Sequence, residues 1–346
     1  MKTLELFSKK TIQIPLQTTW YLTDISYMQG IQELYKKQIP QKLKILREHA
    51  LIESAISSNR IEGVEVDKSR IGTLIFGKPL FRDRNEEEVK GYRDALNLIH
   101  NQAKELSVSE KTILQLHRLC CGNIWDAGKY KEKDIDIIQK YTDGRQRIRF
   151  KTVSPQETPR LMKQTVSLFQ KGIKEKLIHP IILLGALNLD FLCIHPFRDG
   201  NGRVSRLLLL LTCYQSDIEV IRYISIERLI EVHKERYYET LEESSYRWYE
   251  GKHNPWPYIN FILFILNSAY KEFKERVGET KEPRGTKTEI VHSIIKKQKI
   301  PFTIANIQKQ CPGVSIDMIR YILKQLKANG KIKCLGRGKY AQWKNV

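Results

Sequence analysis

A mainly α-helical protein, with one β-hairpin in its body and a small basic helical module at its C-terminus, is what this sequence predicts. Three observations lead there. Apolar residues recur at helical spacing through most of residues 28–276. One Asp-Gly pair, Asp143-Gly144, lies between two β-prone runs, Lys133–Ile138 and Gln146–Lys151, and signals a hairpin. Residues 287–346 carry thirteen Lys and Arg against two acids, Glu289 and Asp317, a net +11 of the chain's +20.

The elements follow in order. Met1–Ser26 alternates short apolar and polar residues and is expected to be an extended arm. From Met28 to about Gly63 the spacing turns helical, with Ile31, Leu34, Tyr35, Leu43, Leu46, His49 and Ile52 on the apolar side. Further helices are expected over Glu86–Gln102, Glu110–Cys121, Pro159–Lys171, Pro180–Leu192, Gly202–Gln215, Glu227–Tyr246 and Pro257–Arg276, many separated by Pro or Gly. The polar, aperiodic stretch 278–286 reads as a linker. Beyond it, Thr288–Lys297, Ile304–Gln310 and Ser315–Ala328 have helical patterns, and Lys331–Trp343 looks like two short strands around Gly336-Arg337-Gly338. Three helices and a glycine-tipped hairpin resemble a winged helix-turn-helix. Its recognition helix would present Arg320, Lys324 and Lys327 and bury Ile319, Ile322, Leu323 and Leu326, with Lys331, Lys333, Arg337 and Lys339 on the wing.

Composition limits the function classes. At 346 residues and 41% hydrophobic the chain can build two or three units with sizeable cores. Its apolar runs are too short to cross a bilayer, and Met1–Lys10 lacks the apolar core of a signal peptide, so a cytoplasmic location is expected and no membrane partner. Six cysteines without a C-x-x-C pair or a His at ligand spacing are expected to be reduced thiols, not a zinc site. A charge of +20 points to a polyanionic partner: nucleic acid, nucleotide phosphates or an acidic protein face.

The chemistry concentrates in Ile194–Arg206, I-H-P-F-R-D-G-N-G-R-V-S-R, between two apolar helices. Gly200-Asn201-Gly202 allows successive N–H groups to face one concavity, reinforced by the start of the next helix, which makes an anion cradle. Arg203 and Arg206, three apart, can clamp one polyphosphate from one face. Asp199 suits Mg²⁺, which takes one or two carboxylates plus phosphate oxygens. His195 is the one group here that titrates near neutrality, as a general base for a hydroxyl requires. A Gly-Asn-Gly turn is common and a single His beside an apolar helix is more often core; the joint occurrence is what carries weight.

In that order these residues resemble the Fic family, whose motif H-P-F-x-[D/E]-G-N-G-R-x-x-R is matched from His195 to Arg206. Ala127-Gly128-Lys129-Tyr130 and Val153-Ser154-Pro155 sit where that family has the ends of its flap hairpin, and the likeness covers about residues 20–275. The resemblance implies a Fic-type helical core over 96–277, preceded by an arm and helices over 1–95, followed by the linker 278–286 and the winged helix-like module 287–346. It implies transfer of AMP from ATP to a Ser, Thr or Tyr hydroxyl of a target protein. His195 would take the proton, Asp199 would hold Mg²⁺, and Gly200, Asn201 and Gly202 would cradle phosphates through backbone and amide donors. Arg203 and Arg206 would hold the outer ones. The flap strand Asp134, Ile135, Asp136, Ile137 and Ile138 would dock the target by β-addition. Tyr237 and Tyr238 match a paired tyrosine on the adenine side, although two aromatics on a helix are as readily core. Ser58-x-x-x-Glu62-Gly63 is similar to the family's inhibitory helix, here within 54–63. Glu62 would then pair with Arg206 and keep it from the γ-phosphate.

Self-modification and a homodimer are implied in the same way, and DNA is an expected partner of the basic module. The alternatives stay open at this point: a DNA-binding regulator whose Fic fold senses nucleotide or a partner, removal of AMP, or transfer of another nucleotide.

Overall fold

The computed structural model describes residues 3–8, 12–38, 40–77, 80–122, 124–140, 145–278, 286–298, 300–311, 314–336, 338 and 341–345. It is mainly helical, as the apolar spacing predicts, and its contacts divide it into two units, Met1–Glu275 and Arg276–Val346.

In the first unit α1 (Thr3–Phe7), α2 (Leu16–Gln38), α3 (Pro40–Ile61), α4 (Ile71–Phe76), α5 (Arg84–Gln102) and α6 (Glu110–Cys121) precede the hairpin strands β1 (Ile137–Lys140) and β2 (Gln146–Phe150). After it come α7 (Thr158–Lys174), α8 (Pro180–Ile194), α9 (Asn201–Gln215), α10 (Ile226–Val232), α11 (Lys234–Ser245) and α12 (Trp256–Gly278). The centre is α8: every residue from Ile181 to Ile194 is buried. A helix apolar on all sides has to be wrapped by others, and α1, α7, α9 and α11 pack on it. Each buried Leu, Ile or Phe there contributes about 2 kcal/mol of transfer free energy. Helix α9, buried along most of its length, lies beside α8 and α6. Local signals fix several ends: Asp83, Ser109 and Ser225 accept backbone N–H bonds as N-caps of α5, α6 and α10. Helices α5 and α6 meet at Gly91, where a Cβ would come within 2.1 Å of the Leu119 carbonyl oxygen.

Several expectations are corrected. The opening is not an extended arm: it holds α1 and the first half of α2. The cap of α1 comes from Asp190 on α8, which accepts from Thr3 N at 2.8 Å and Leu4 N at 2.9 Å, and no local pattern announces a partner so distant. In α2 the buried Thr18, Ile25, Met28 and Gln32 have helical spacing, blurred in the sequence by the exposed Leu16, Trp20 and Tyr27. The expected helix 227–246 is two, broken at His233, whose ring meets Phe264 edge-on at 5.0 Å. Helix α5, Arg84–Gln102, begins two residues before the expected start and ends where expected.

The hairpin exists, shorter than expected: β1 begins at Ile137, so Asp134, Ile135 and Asp136 precede the strand. Ile138 pairs with Ile148 and Ile137 with Phe150, a register shift that bulges β2. The Tyr141–Gly144 turn lies outside the described residues.

The second unit holds α13 (Thr286–Lys297), α14 (Ile304–Gln310), α15 (Ile316–Ala328) and the antiparallel pair β3 (Ile332–Cys334) and β4 (Trp343–Asn345). Val291, Ile295, Phe302, Ile307, Ile319, Ile322, Leu323 and Ile332 form its own core. Ile319, Ile322, Leu323 and Leu326 of α15 are buried while Arg320, Lys324 and Lys327 are exposed. The linker residues 279–285, and Arg337 and Lys339 of the expected wing, lie outside the described residues.

Candidate functional site

The site forms where α8 stops. His195 is the C-cap of α8 at φ 52°, ψ 62°, left-handed backbone that residues with a Cβ seldom adopt. Phe197 is fully buried and stacks on His117 with ring centroids 3.7 Å apart. Asn201 closes the loop: its Oδ1 accepts from Phe197 N at 2.9 Å and its Nδ2 donates to the Phe197 carbonyl at 2.7 Å. The Asn201 side chain braces the turn through its oxygen and one of its two N–H groups. What the turn presents is the start of α9, whose first N–H groups have no intrahelical acceptors.

A carboxylate of the chain comes close to that helix start. Ser54, Ser58 and Glu62 follow at i, i+4 and i+8 along the end of α3, and all three take partners in the core of the site. Ser54 Oγ donates to Glu227 Oε2 at 2.7 Å. Ser58 accepts from Arg206 twice, through Oγ at 2.8 Å and its carbonyl at 2.9 Å. Glu62 Oε1 accepts from Arg206 Nη2 at 2.8 Å. The same oxygen presses on the helix start, where a Cβ on Gly202 would lie 2.1 Å from it. Gly63 turns the chain away just after, at φ 82°. Arg206 is 2% exposed, yet its Nη1 has no partner; burial opposes its charge, and Glu62 more than restores it, so its pKa lies above the ordinary arginine value.

Arg203 goes elsewhere. It is buried, with Nη1 at 2.7 Å from Glu88 Oε2 on α5 and Nη2 at 3.4 Å from Asp199 Oδ1. The two arginines have different partners in the chain: Arg203 turns to Glu88 on α5 and Arg206 to Ser58 and Glu62 at the end of α3. Asp199 also accepts from Arg84 Nη2 at 2.7 Å and from Gly200 N at 2.6 Å. Burial raises its pKa, but Arg203, the Gly200 N–H and Arg84 outweigh that and hold it below the usual carboxylate value. An ionised carboxylate at the lip of an anion cradle fits Mg²⁺ held jointly with phosphate oxygens. Among the described residues no group of three or more His, Cys, Asp or Glu could hold a metal without such help.

His195, Glu62 and Gly202 face a cavity of about 470 Å³, closed on other sides by Ile137 and Ile138 of β1, Arg149 and Phe150 of β2, and Tyr237, Tyr238 and Glu242 of α11. Asp134, Ile135 and Asp136 do not line it. Tyr237 is 3% exposed and packs on Tyr258 and Phe261, so it belongs mainly to the core. Tyr238 stands under the Arg149 guanidinium, 5.3 Å from its carbon. Burial, reinforced by Lys131, lowers the His195 pKa to about 4 against a backbone contact with Leu192 that favours the charged ring, so the imidazole is neutral at pH 7. Sequence reasoning missed Arg84, Glu88, Lys131, Arg149 and Glu242. Each sits on another element and shows no local motif.

A left-handed histidine turn that feeds a buried helix start, roofed by a hairpin, defines the class: a helical domain built around an anion cradle. Residues 107–213 match the model of the Fic/DOC family, and the chain carries a domain of that family. It is similar to protein adenylyltransferase Fic of Nematostella vectensis, 25% identical over 181 residues, covering 49% of this chain and 39% of that protein. It is also similar to protein adenylyltransferase fic-1 of Caenorhabditis elegans, 31% identical over 150 residues, covering 42% of this chain and 27% of that one. The matched stretch thus spans well under half the length of either relative. Among solved structures, a Fic family protein from Desulfovibrio desulfuricans G20 superposes with TM-score 0.63 at 17% identity, covering 97% of both chains. A Fic domain containing signaling protein from Bacteroides thetaiotaomicron gives 0.60 at 23% identity, over 75% of this chain and all of that one. These likenesses establish the fold. Among the described residues, no helix is long and apolar enough to cross a membrane.

Proposed function

We propose that this chain is a protein adenylyltransferase, transferring AMP from ATP to a target hydroxyl, and that Glu62 restrains it. One observation carries the reading: Glu62, just past α3, reaches beside the start of α9 and holds Arg206. Free N–H groups and the helix dipole at such a start favour a phosphate oxygen. The orphaned Nη1 of Arg206 is a donor in waiting.

In the reaction, His195 accepts the proton of a target Ser, Thr or Tyr hydroxyl. The hydroxyl oxygen forms a bond to the α-phosphorus, the bond from that phosphorus to the bridging oxygen breaks, and pyrophosphate leaves. Mg²⁺, held by Asp199 and phosphate oxygens, would neutralise the charge of the leaving group. Arg206, once released by Glu62, takes an outer phosphate, and the backbone of Gly200–Gly202 orients the rest. Such catalysis is positioning and charge neutralisation. Ile137 and Ile138 on β1 stand ready to align a target segment, and Tyr238 to cover the base. Two relatives named protein adenylyltransferases support the reaction class.

Labelled ATP tests it. The Glu62→Gly chain labels itself or added protein about tenfold faster than wild type or more, and Glu62→Gly with His195→Ala labels neither. Equal labelling of Glu62→Gly and wild type would remove the restraint, and labelling that survives His195→Ala would remove the base.

A further inference from the structure

Lys131 is a buried charge that the transfer chemistry leaves unused. It is 5% exposed, and its ammonium donates to two neutral oxygens, Thr152 Oγ1 at 2.7 Å and the Ile194 carbonyl at 3.3 Å. Lysine is seldom so buried without a carboxylate against it. Burial brings its pKa down to about 8, while Asp134 and Asp136, before β1, favour the charge from farther off. The position has its own logic: Ile194 is the last residue of α8, so the ammonium meets the negative end of a 15-residue helix.

The same residue grips the other side of His195. Its backbone N–H donates to the Pro196 carbonyl at 2.9 Å. The carbonyls before and after His195 are therefore both held by Lys131, and His195 between them has the left-handed backbone that such a hold can maintain. Thr152, the third party, donates a hydrogen bond from its hydroxyl to the Ile135 carbonyl ahead of β1. One side chain thus joins the histidine turn to both roots of the hairpin.

From this juxtaposition we infer that Lys131 is the positioning residue of His195, fixing the imidazole in its left-handed turn and coupling that turn to the hairpin. The inference deepens the transfer reading and rests on it for the purpose of the turn. Electrostatics act in the same direction. The charged and titratable groups facing His195 are Lys131, Glu62 from the end of α3, Asp199 from the cradle, Arg149 from β2, Cys193 from α8, and Tyr237, Tyr238 and Glu242 from α11. Glu62 and Asp199 favour the imidazolium, whereas burial and Lys131 disfavour it. Loss of the Lys131 charge therefore raises the His195 pKa and starves the site of neutral base at acid pH.

The test uses the full chain carrying Glu62→Gly, with Lys131→Met, Lys131→Arg and Thr152→Val added singly. His195 is titrated by NMR, its resonance assigned by comparison with His195→Ala, and self-labelling is followed against ATP concentration and pH. Lys131→Met is expected to raise the His195 pKa by about one unit. It should slow labelling at saturating ATP about tenfold, with half-saturating ATP changed less than about twofold. The acid limb of the pH profile should move upward with the titration, and Lys131→Arg should restore both. A folded Lys131→Met chain with the parent titration and rate overturns the inference. Should Lys131→Met fail to fold, Thr152→Val carries the test: a severalfold slower rate at saturating ATP supports the hold, and an unchanged rate overturns it. If no variant transfers AMP, the transfer reading fails, and the His195 titration alone decides whether Lys131 governs that imidazole.

Discussion

The residues that matter most are buried charges with buried partners. Glu227 is fully buried and accepts from Ser54 Oγ at 2.7 Å, Ser225 Oγ at 3.2 Å and Tyr92 OH at 3.0 Å, tying α3, α5 and α10 together. Glu227→Ala removes the shared acceptor of three hydroxyls, leaving Ser54 only Ser225 Oγ at 2.9 Å, so denaturant unfolding should show a loss of about 3 kcal/mol. Because Ser54 lies two helical turns before Glu62, the loosened α3 should also raise AMP labelling in the otherwise wild-type chain; stability lost with no gain in labelling would uncouple the two. Three histidines add a pH dependence. Burial lowers His195 and His253 to about 4 and His100 to about 3. Their folded values lie below the unfolded value of about 6.5, so the unfolded chain binds protons that the fold refuses. The stability this supplies is complete above pH 6.5 and drains as pH falls towards 4. Thermal melts between pH 7 and 4.5 should show a falling midpoint, and His100→Gln should flatten that fall. At this scale the sequence is informative for His195 and Arg206, which share one motif, and for Ser58 and Glu62, which share another. It is silent on Arg84, Glu88 and Lys131, whose roles exist only once distant segments meet.

Elements were legible where their burial follows one period and fails where long-range contacts set it. Helices α5, α6 and α7 show caps or clean amphipathic spacing, and their ends, like those of the glycine-opened α9, fall within a few residues of expectation. Helix α1 needs Asp190, and the break between α10 and α11 needs the packing of His233 on Phe264. Neither leaves a trace in the local pattern. The hairpin was legible as a pair but not in register, because the bulge opposite Ile137 shifts the strand ends. Its attachment was not legible at all: Arg147 lies 2.7 Å and Arg149 3.2 Å from Glu242 on α11. Such half-exposed pairs contribute little to global stability but can govern local opening. Glu242→Gln should therefore speed amide exchange over residues 146–150 by about fivefold, with the melting midpoint moved by less than about 2 °C. Unchanged exchange would show that Ile137, Ile138 and Phe150 hold the hairpin unaided.

The chain carries its candidate site in the first unit and a basic second unit with a core of its own, and the charge is distributed unevenly between them. Residues 287–346 hold +11 of the +20, and Arg320, Lys324 and Lys327 stand exposed on α15 opposite its buried Ile319, Ile322, Leu323 and Leu326. Such a face can neutralise phosphates with little choice of sequence. We propose duplex DNA as its partner, independent of AMP transfer. The full chain should then retard a short duplex in a mobility-shift assay, with log affinity falling linearly in log salt at a slope of about −0.9 per phosphate neutralised. Lys324→Ala with Lys327→Ala should make that slope shallower by about two and weaken all sequences alike, since contacts to phosphate do not read bases. Residues 1–278 alone should bind far more weakly. If instead those residues retard DNA as well as the full chain does, the charge of the second unit serves another anion, and an acidic protein face becomes the next partner to test. Either outcome leaves His195 and the cradle untouched, because no group of α15 takes part in the proposed chemistry.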